Sequence, residues 1–344
     1  MRAIIAEEDG LIRLRVFPFP QLQDGQIEIR TTCSLISPGT ELHYAKEALK
    51  NNTHYFLGYC ASGYVERVGN YVKGFSIGDR VIAMGWGYAI HAERICVPHR
   101  LCTVIPDELP FDDAVFANLA ATALHAIHRA KLSGSERVLA IGGGLIGQLV
   151  AQCAQIYTSD VYMVDCLEGR LKAAQTAGVK KVFNSNKKSF VDSVLAATEG
   201  KGVNTVFLCN TGEATSVIAD SIKVITTAPD GQKRGTLVCV GRFDAHINFN
   251  VDMGNVDIRY AARCGSGYRD DDYTHGRLDY PAPDGEASVS SNIQTCVQLI
   301  HDQAIRLDTI HTHRIAFDDA LTAYELFKSP DSVIGVTLHY NNPI

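Results

Sequence analysis

The chain has 344 residues, 46% of them hydrophobic and 20% charged, with a formal charge of −6 and a pI near 6.0. Its length predicts two folded domains at about 100–200 residues each. The acidic balance and the lack of any Lys/Arg run exclude nucleic acid as an expected partner, and no run of about 18 apolar residues reads as a membrane span.

The opening MRAIIAEEDGLIRLRVF alternates like a strand and lacks the basic-then-apolar layout of a signal peptide. Up to about residue 110, the runs QIEIRTTC, SGYVERVG, DRVIAMG and ERICVP, separated by turn residues, predict a mostly β region. DDAVFANLAATALHAIHRAKL, from 112, has helical spacing with acids at its start. A strand–helix rhythm follows. ERVLAIG, VYMVD, KKVFN, VNTVFLCN and TLVCVG read as strands, and the segments between them read as helices. Apolar strands alternating with helices predict a parallel sheet covered on both faces. Residues 268–286, YRDDDYTHGRLDYPAPDGE, read as a surface loop. The tail returns to helix (SNIQTCVQLIH), strand, helix (DDALTAYELFKS) and strand (SVIGVTLHY). Ten cysteines scattered from position 33 to 296 read as buried thiols of a cytoplasmic protein.

The strand ERVLAI runs into GGGLIG, where Gly142, Gly144 and Gly147 fit G-x-G-x-x-G. The first glycine permits the tight turn, the second lets the backbone approach a pyrophosphate, and the third allows close helix–strand contact. The pyrophosphate would sit on the amides that open the helix, those of Leu145 and Ile146 among them. The next strand ends at Asp165, 18 residues beyond Gly147, where a carboxylate suits the adenosine ribose hydroxyls. The same charge repels a 2′-phosphate, so NAD is expected over NADP; Arg170 nearby pulls the other way or simply occupies a helix position.

The runs TTCSLISPGTELH, LGYCASGYVERVGNYVKGFSIGDRV, YAIHAERICVP, LAATALHAIHRA, GGGLIG, CNTG, LVCVG and FDDALTAYELF cover nearly the whole chain. In this order they resemble the medium-chain dehydrogenase/reductase superfamily, the zinc-type alcohol dehydrogenases in the broad sense. SLISPGTE is most similar to the branch of bacteriochlorophyllide a dehydrogenase, without carrying the pigment substrate with it. The resemblance implies an α/β chain with two domains and a substrate cleft between them. Residues 1–121 and 269–344 would form a GroES-like catalytic domain, and residues 122–268 a Rossmann NAD-binding domain with a doubly wound parallel sheet. It adds Asn210 (of CNTG) and Gly241 (of LVCVG) to the cofactor-binding residues. It also implies a homodimer or homotetramer joined at the edge of the Rossmann sheet, around residues 256–264.

The departures from that family bear on its chemistry. Where the zinc enzymes carry their three catalytic ligands, this chain aligns Pro38, Tyr59 and either Asn118 or an apolar neighbour, with Cys60 beside Tyr59. Cys96 and Cys102 are only a pair where the structural zinc lobe has four cysteines. No metal is therefore expected at the usual place, and a displaced site on Cys60, Glu41 and His43 is the minor alternative. Hydride transfer still needs a proton acceptor or donor. By resemblance Thr40 and His43 fall on a proton relay, or else fix a turn and face solvent. Tyr59 would point at the nicotinamide as an acid or base, or as a space-filling aromatic. Glu41 would orient Tyr59 or His43, or pair with an arginine. His91 is a second proton-donor candidate, Cys60 a passive small residue, and His125 and His128 structural. The expected function is zinc-independent, NAD-dependent interconversion of a secondary alcohol and ketone on a small polyol, sugar, cyclitol or larger hydroxylated metabolite. A zinc-free quinone or enoyl reductase and a catalytically degenerate nucleotide-binding partner protein are the alternatives.

Overall fold

Five of the expected strands, with one more, build a single parallel sheet. The computed structural model, which describes residues 1–341, orders them Lys181–Asn184, Val161–Asp165, Val138–Ile141, Thr205–Leu208, Arg234–Cys239, Asn255–Tyr260. In chain order this is 3-2-1-4-5-6, the Rossmann arrangement, with every neighbouring pair parallel. The central strands VLAI, VYMVD and TVFL are buried at every position, because both faces of the sheet are covered. Their side chains form an apolar core with Phe190, Val194 and Ile218 from the helices. This sheet belongs to a unit made of Thr122–Arg263 and Ala304–Ile310.

The other unit comprises Met1–Ala121, Cys264–Gln303 and the chain from His311 onward. Its main sheet follows the order His311–Ala316, Gly335–His339, Gln26–Leu35, Cys60–Val68, Arg80–Met84, Cys102–Val104, with Arg94–Pro98 also pairing with Gln26–Leu35. All but the first pair are antiparallel, as hairpin-rich β domains are. A three-stranded sheet of Ile12–Val16, Arg2–Ala6 and Tyr55–Phe56 completes it. This is the GroES-like half of the fold expected from the sequence.

Three local features differ from the sequence expectations. PGTELHYAKEALKN, within the region read as β, is a helix (Pro38–Asn51) with proline in its first turn and Asn52 left-handed at its end. The helix expected over 112–132 is broken into Phe111–Ala114 and Ala117–Ala130. The 268–286 loop contains a short helix, Asp271–Thr274, capped by Asp270 and anchored by the buried Tyr273 and Thr274. All ten cysteines are free thiols, and eight are buried. Among the described residues no helix is long and apolar enough to cross a membrane.

Candidate active site: a glycine cradle and a buried tyrosine network

In the parallel unit the chain leaves the first strand at Gly142, whose φ of +95° suits glycine. A Cβ on Gly147 would lie 1.8 Å from the Gly142 carbonyl oxygen, so the helix Leu145–Gln155 seats against the turn only with glycine there. A Cβ on Gly144 would meet nothing closer than Arg170 Nη1, at 3.8 Å, leaving the second glycine open for close approach. Gly144 caps the helix with no side-chain hydrogen bond, so no side chain competes for the amides of the first turn. Gly241 lies against Asn210, where a Cβ would be 1.9 Å from the Asn210 carbonyl oxygen. The first and fourth strands are neighbours in the sheet, and sheets of this order bind ligands beyond the carboxyl ends of such a pair. Asn210 Oδ1 and Arg170 Nε are buried without a hydrogen-bond partner. Orphaned polar atoms beside an open glycine turn fit a bound dinucleotide.

Asp165 closes the second strand, 6% exposed, and its carboxylate holds the turn itself. Oδ2 accepts the Gly143 amide at 2.5 Å and Oδ1 accepts the Leu167 amide at 2.8 Å. Arg170 Nη1 stands 3.8 Å from Oδ2. The acid therefore both supports the glycine turn and offsets the charge of Arg170.

The β-rich unit holds a chain of buried polar groups. Glu41, in the first turn of Pro38–Asn51, is fully buried; Oε1 accepts the Ser37 amide at 2.7 Å. Glu41 Oε2 accepts the Tyr324 hydroxyl at 2.6 Å and lies 3.0 Å from His91 Nε2. The other ring nitrogen, His91 Nδ1, is 2.8 Å from Ser34 Oγ, which is 3.0 Å from the Tyr340 hydroxyl. Tyr59, half-buried, donates to Ser37 Oγ at 2.8 Å. Burial raises its phenol well above the ordinary value, helped by Cys60 and Tyr268 and opposed by hydrogen bonds to Ser37 and Thr40. The Cys60 thiol is raised by burial, then by Glu41 and Cys264, which makes it a poor nucleophile.

Residues 23–107 match the alcohol dehydrogenase GroES-like domain, and residues 146–274 match the zinc-binding dehydrogenase family. The chain belongs to the medium-chain dehydrogenase/reductase superfamily. Members are NAD(P)-dependent enzymes, and the Rossmann sheet with its glycine turn identifies NAD as the cofactor here. D-xylulose reductase of Saccharomyces cerevisiae is 25% identical, over 94% of this chain and 93% of that one. The reducing polyketide synthase hmp8 of Hypomyces subiculosus is 33% identical over 62% of this chain, a stretch that is 9% of the synthase. The short chain alcohol dehydrogenase rspB of Escherichia coli CFT073, solved with NADH, superposes with a TM-score of 0.77 at 17% identity. The match covers 98% of this chain and 99% of that one, and it is a likeness of fold.

Within this superfamily fold, the candidate residues fall into two groups. Gly142, Gly144, Leu145, Ile146, Gly147, Asp165, Arg170, Asn210 and Gly241 all lie in the parallel unit, after or at the ends of its strands. Thr40, Glu41, His43, Tyr59 and His91 lie in the β-rich unit. The open question of Glu41 has a definite answer: it is held by Ser37, His91 and Tyr324. His91, the second proton-donor candidate, is fully buried between Glu41 and Ser34. His43 is half-buried, its ring 5.4 Å from that of Tyr44. Sequence reasoning missed Ser34, Ser37, Tyr324 and Tyr340. It noted Asn118 only as a non-ligand, yet that amide is fully buried with both polar atoms unpartnered. Among the described residues, one group of possible metal ligands gathers within 4.8 Å: Asp112, His311 and His339. None of these three was a sequence candidate.

Proposed function

We propose that this chain is a zinc-independent, NAD-dependent oxidoreductase that interconverts a secondary alcohol and its ketone on a hydroxylated metabolite of the polyol, sugar or cyclitol class. The observation that carries the reading is Tyr59, a phenol kept protonated by burial and directed by Ser37 at a position where zinc relatives present a ligand. Zinc takes Cys, His, Asp or Glu ligands. Pro38 has no side-chain donor atom, Tyr59 offers a phenol that burial keeps protonated, and Asn118 offers a neutral amide. This set does not fit a zinc ion, and no step is derived through one. The likeness to D-xylulose reductase supports a polyhydroxy substrate. The wording SLISPGTE supports a place beside the bacteriochlorophyllide a dehydrogenase branch.

NAD supplies the hydride acceptor or, as NADH, the donor. In the carbonyl-reducing direction Tyr59 donates its proton to the substrate oxygen as negative charge develops there. Thr40 hydrogen-bonds the same phenol, and His43 lies three residues on along one helix face, completing a path for the proton toward solvent. Glu41 and His91 act through Ser37 as positioning residues. The Asn118 amide, without a partner of its own, is a hydrogen-bonding site for a substrate hydroxyl. Residues 1–121 with 269–344 form the catalytic domain in this reading, and 122–268 the NAD domain. The protein would act in the cytoplasm. Asn255–Tyr260, last in the parallel sheet's order and ending in the exposed Tyr260, would join a second copy into a dimer.

A second reading, reduction of an activated double bond, draws on the 33% identity to a reducing polyketide synthase. The test is turnover of paired ketone, polyol and enone panels with NADH and NADPH, in wild type and Tyr59→Phe. Ketone reduction with NADH that falls at least about 100-fold in Tyr59→Phe, the usual scale of a lost general acid, supports the first reading. Turnover of enones alone with NADPH overturns it, as does full ketone activity in Tyr59→Phe.

A further inference from the structure

We propose that Asp112, His311 and His339 form a binding site for a divalent transition-metal ion, apart from the residues assigned to the reaction. Asp112 lies in the short helix Phe111–Ala114, His311 opens the strand His311–Ala316, and His339 closes the strand Gly335–His339. These two strands are parallel neighbours, and an irregularity in register between His311 and His313 re-aims the first histidine. As a result both imidazoles converge: His311 Nε2 and His339 Nε2 each lie 2.9 Å from the single hydroxyl of Thr337. In the metal-free arrangement His311 Nε2–H donates to that hydroxyl, which in turn donates to His339 Nε2. Ligand atoms from the two histidines and Asp112 lie within 4.8 Å of one another. Metal–ligand bonds near 2.0–2.2 Å would bring them to roughly 3.5 Å apart, a contraction that side-chain rotation supplies.

The surroundings match what a metal site needs beyond its ligands. Asp113 Oδ1 is 3.4 Å from His311 Nδ1, placed to accept that N–H once Nε2 carries the metal. The His311 side chain is 2% exposed, while Asp112 and His339 line a cavity of about 570 Å³ together with Cys33 and Tyr64. The cavity gives an ion a way in and leaves a coordination position for water. Two imidazoles and one carboxylate suit Zn(II), Ni(II) or Cu(II) better than Mg(II) or Ca(II). Arg314 is the competitor: its Nε donates to Asp112 Oδ2 at 2.7 Å and its Nη2 lies 2.9 Å from His311 Nδ1. A permanently protonated guanidinium on Nδ1 holds the ring in the tautomer that has no lone pair at Nε2. Metal binding must therefore displace Arg314 from His311, while the contact to Asp112 can remain. The ion would clamp the helix to two strands of the sheet.

The test uses the untagged 344-residue chain, stripped with chelator, titrated with Co(II) while its visible ligand-field absorption is followed, and assayed for Zn(II) retained after dialysis. About one equivalent is expected, with His339→Ala binding at least about 100-fold more weakly. Asp113→Asn is expected to weaken binding about 10–100-fold, the usual effect of an outer-shell partner, and Arg314→Gln to tighten it. Because His311 is buried, His339→Ala carries the argument, with circular dichroism to establish that it folds. Wild-type protein that develops no ligand-field bands and retains no zinc overturns the site. So does a folded His339→Ala variant that retains metal equally well, or weaker binding by Arg314→Gln.

Discussion

Replacing Tyr324 with phenylalanine removes one oxygen from the most enclosed polar cluster of the β-rich unit while keeping a ring that belongs to its apolar core. The hydroxyl donates to Glu41 Oε2 at 2.6 Å, and Glu41 is 0% exposed, so no bulk water replaces the lost donor. A hydrogen bond to a carboxylate contributes about 1.5–3 kcal/mol, against about 0.5–1.5 kcal/mol for a bond between neutral groups. Tyr340→Phe is the internal comparison, since its hydroxyl meets the neutral Ser34 Oγ at 3.0 Å. In domains of 150–250 residues each kcal/mol moves the melting temperature by about 2–4 °C. Tyr324→Phe should therefore melt about 3–12 °C below wild type, and Tyr340→Phe about 1–6 °C below. Thermal unfolding followed by circular dichroism reads both, and a cycle with Glu41→Gln isolates the pair. The loss should shrink in the Glu41→Gln background. A Tyr324→Phe variant melting within about 1 °C of wild type, or costing the same with and without the carboxylate, would refute the reasoning.

Gly147→Ala places a methyl group 1.8 Å from the Gly142 carbonyl oxygen and must push the helix off the turn. Overpacking of this kind costs about 1–3 kcal/mol or more, and NADH binding followed by nucleotide fluorescence should be lost; wild-type affinity would contradict the assigned role of that glycine. Burial pushes the Cys153 thiol from its ordinary value near 9 up to about 12. The folded chain then keeps a proton that the unfolded chain releases. Its contribution is fully present below about pH 9 and falls by about 1.4 kcal/mol per pH unit between about pH 9 and 12. Urea unfolding of Cys153→Ala at pH 8 and pH 10.5 should show a shallower alkaline loss than wild type, and equal slopes would exclude this thiol as a source.

Legibility from sequence follows the range over which each constraint acts. The Rossmann half could be read because its constraints are local: strands buried on both faces must be apolar at every position. Gly142 and Gly147 are fixed by atoms five residues apart. The helix Pro38–Asn51 was also written locally, with proline in its first turn, Glu41 just after and Asn52 at its end. β-rich runs flank it, so propensity averaged across the boundary reads as strand. The tyrosine network is of another kind. Tyr324 reaches Glu41 across 283 positions, Tyr340 reaches Ser34 across 306, and His91 reaches Glu41 across 50. Each of these residues, taken alone in sequence, has an ordinary explanation as a core aromatic or a loop histidine. Only the packing of the sheet strands, the helix Pro38–Asn51 and the helix Ala320–Leu326 gives them a common partner. Asn118 is the converse case, since its significance lies in having no partner at all. Sequence pattern fixes what a residue prefers, whereas a satisfied or orphaned buried polar atom is a property of the assembled neighbourhood. In the proposed mechanism Tyr59 is legible from its place in the sequence, whereas the parts given to Ser37 and Asn118 emerge only when hydrogen bonds are accounted for.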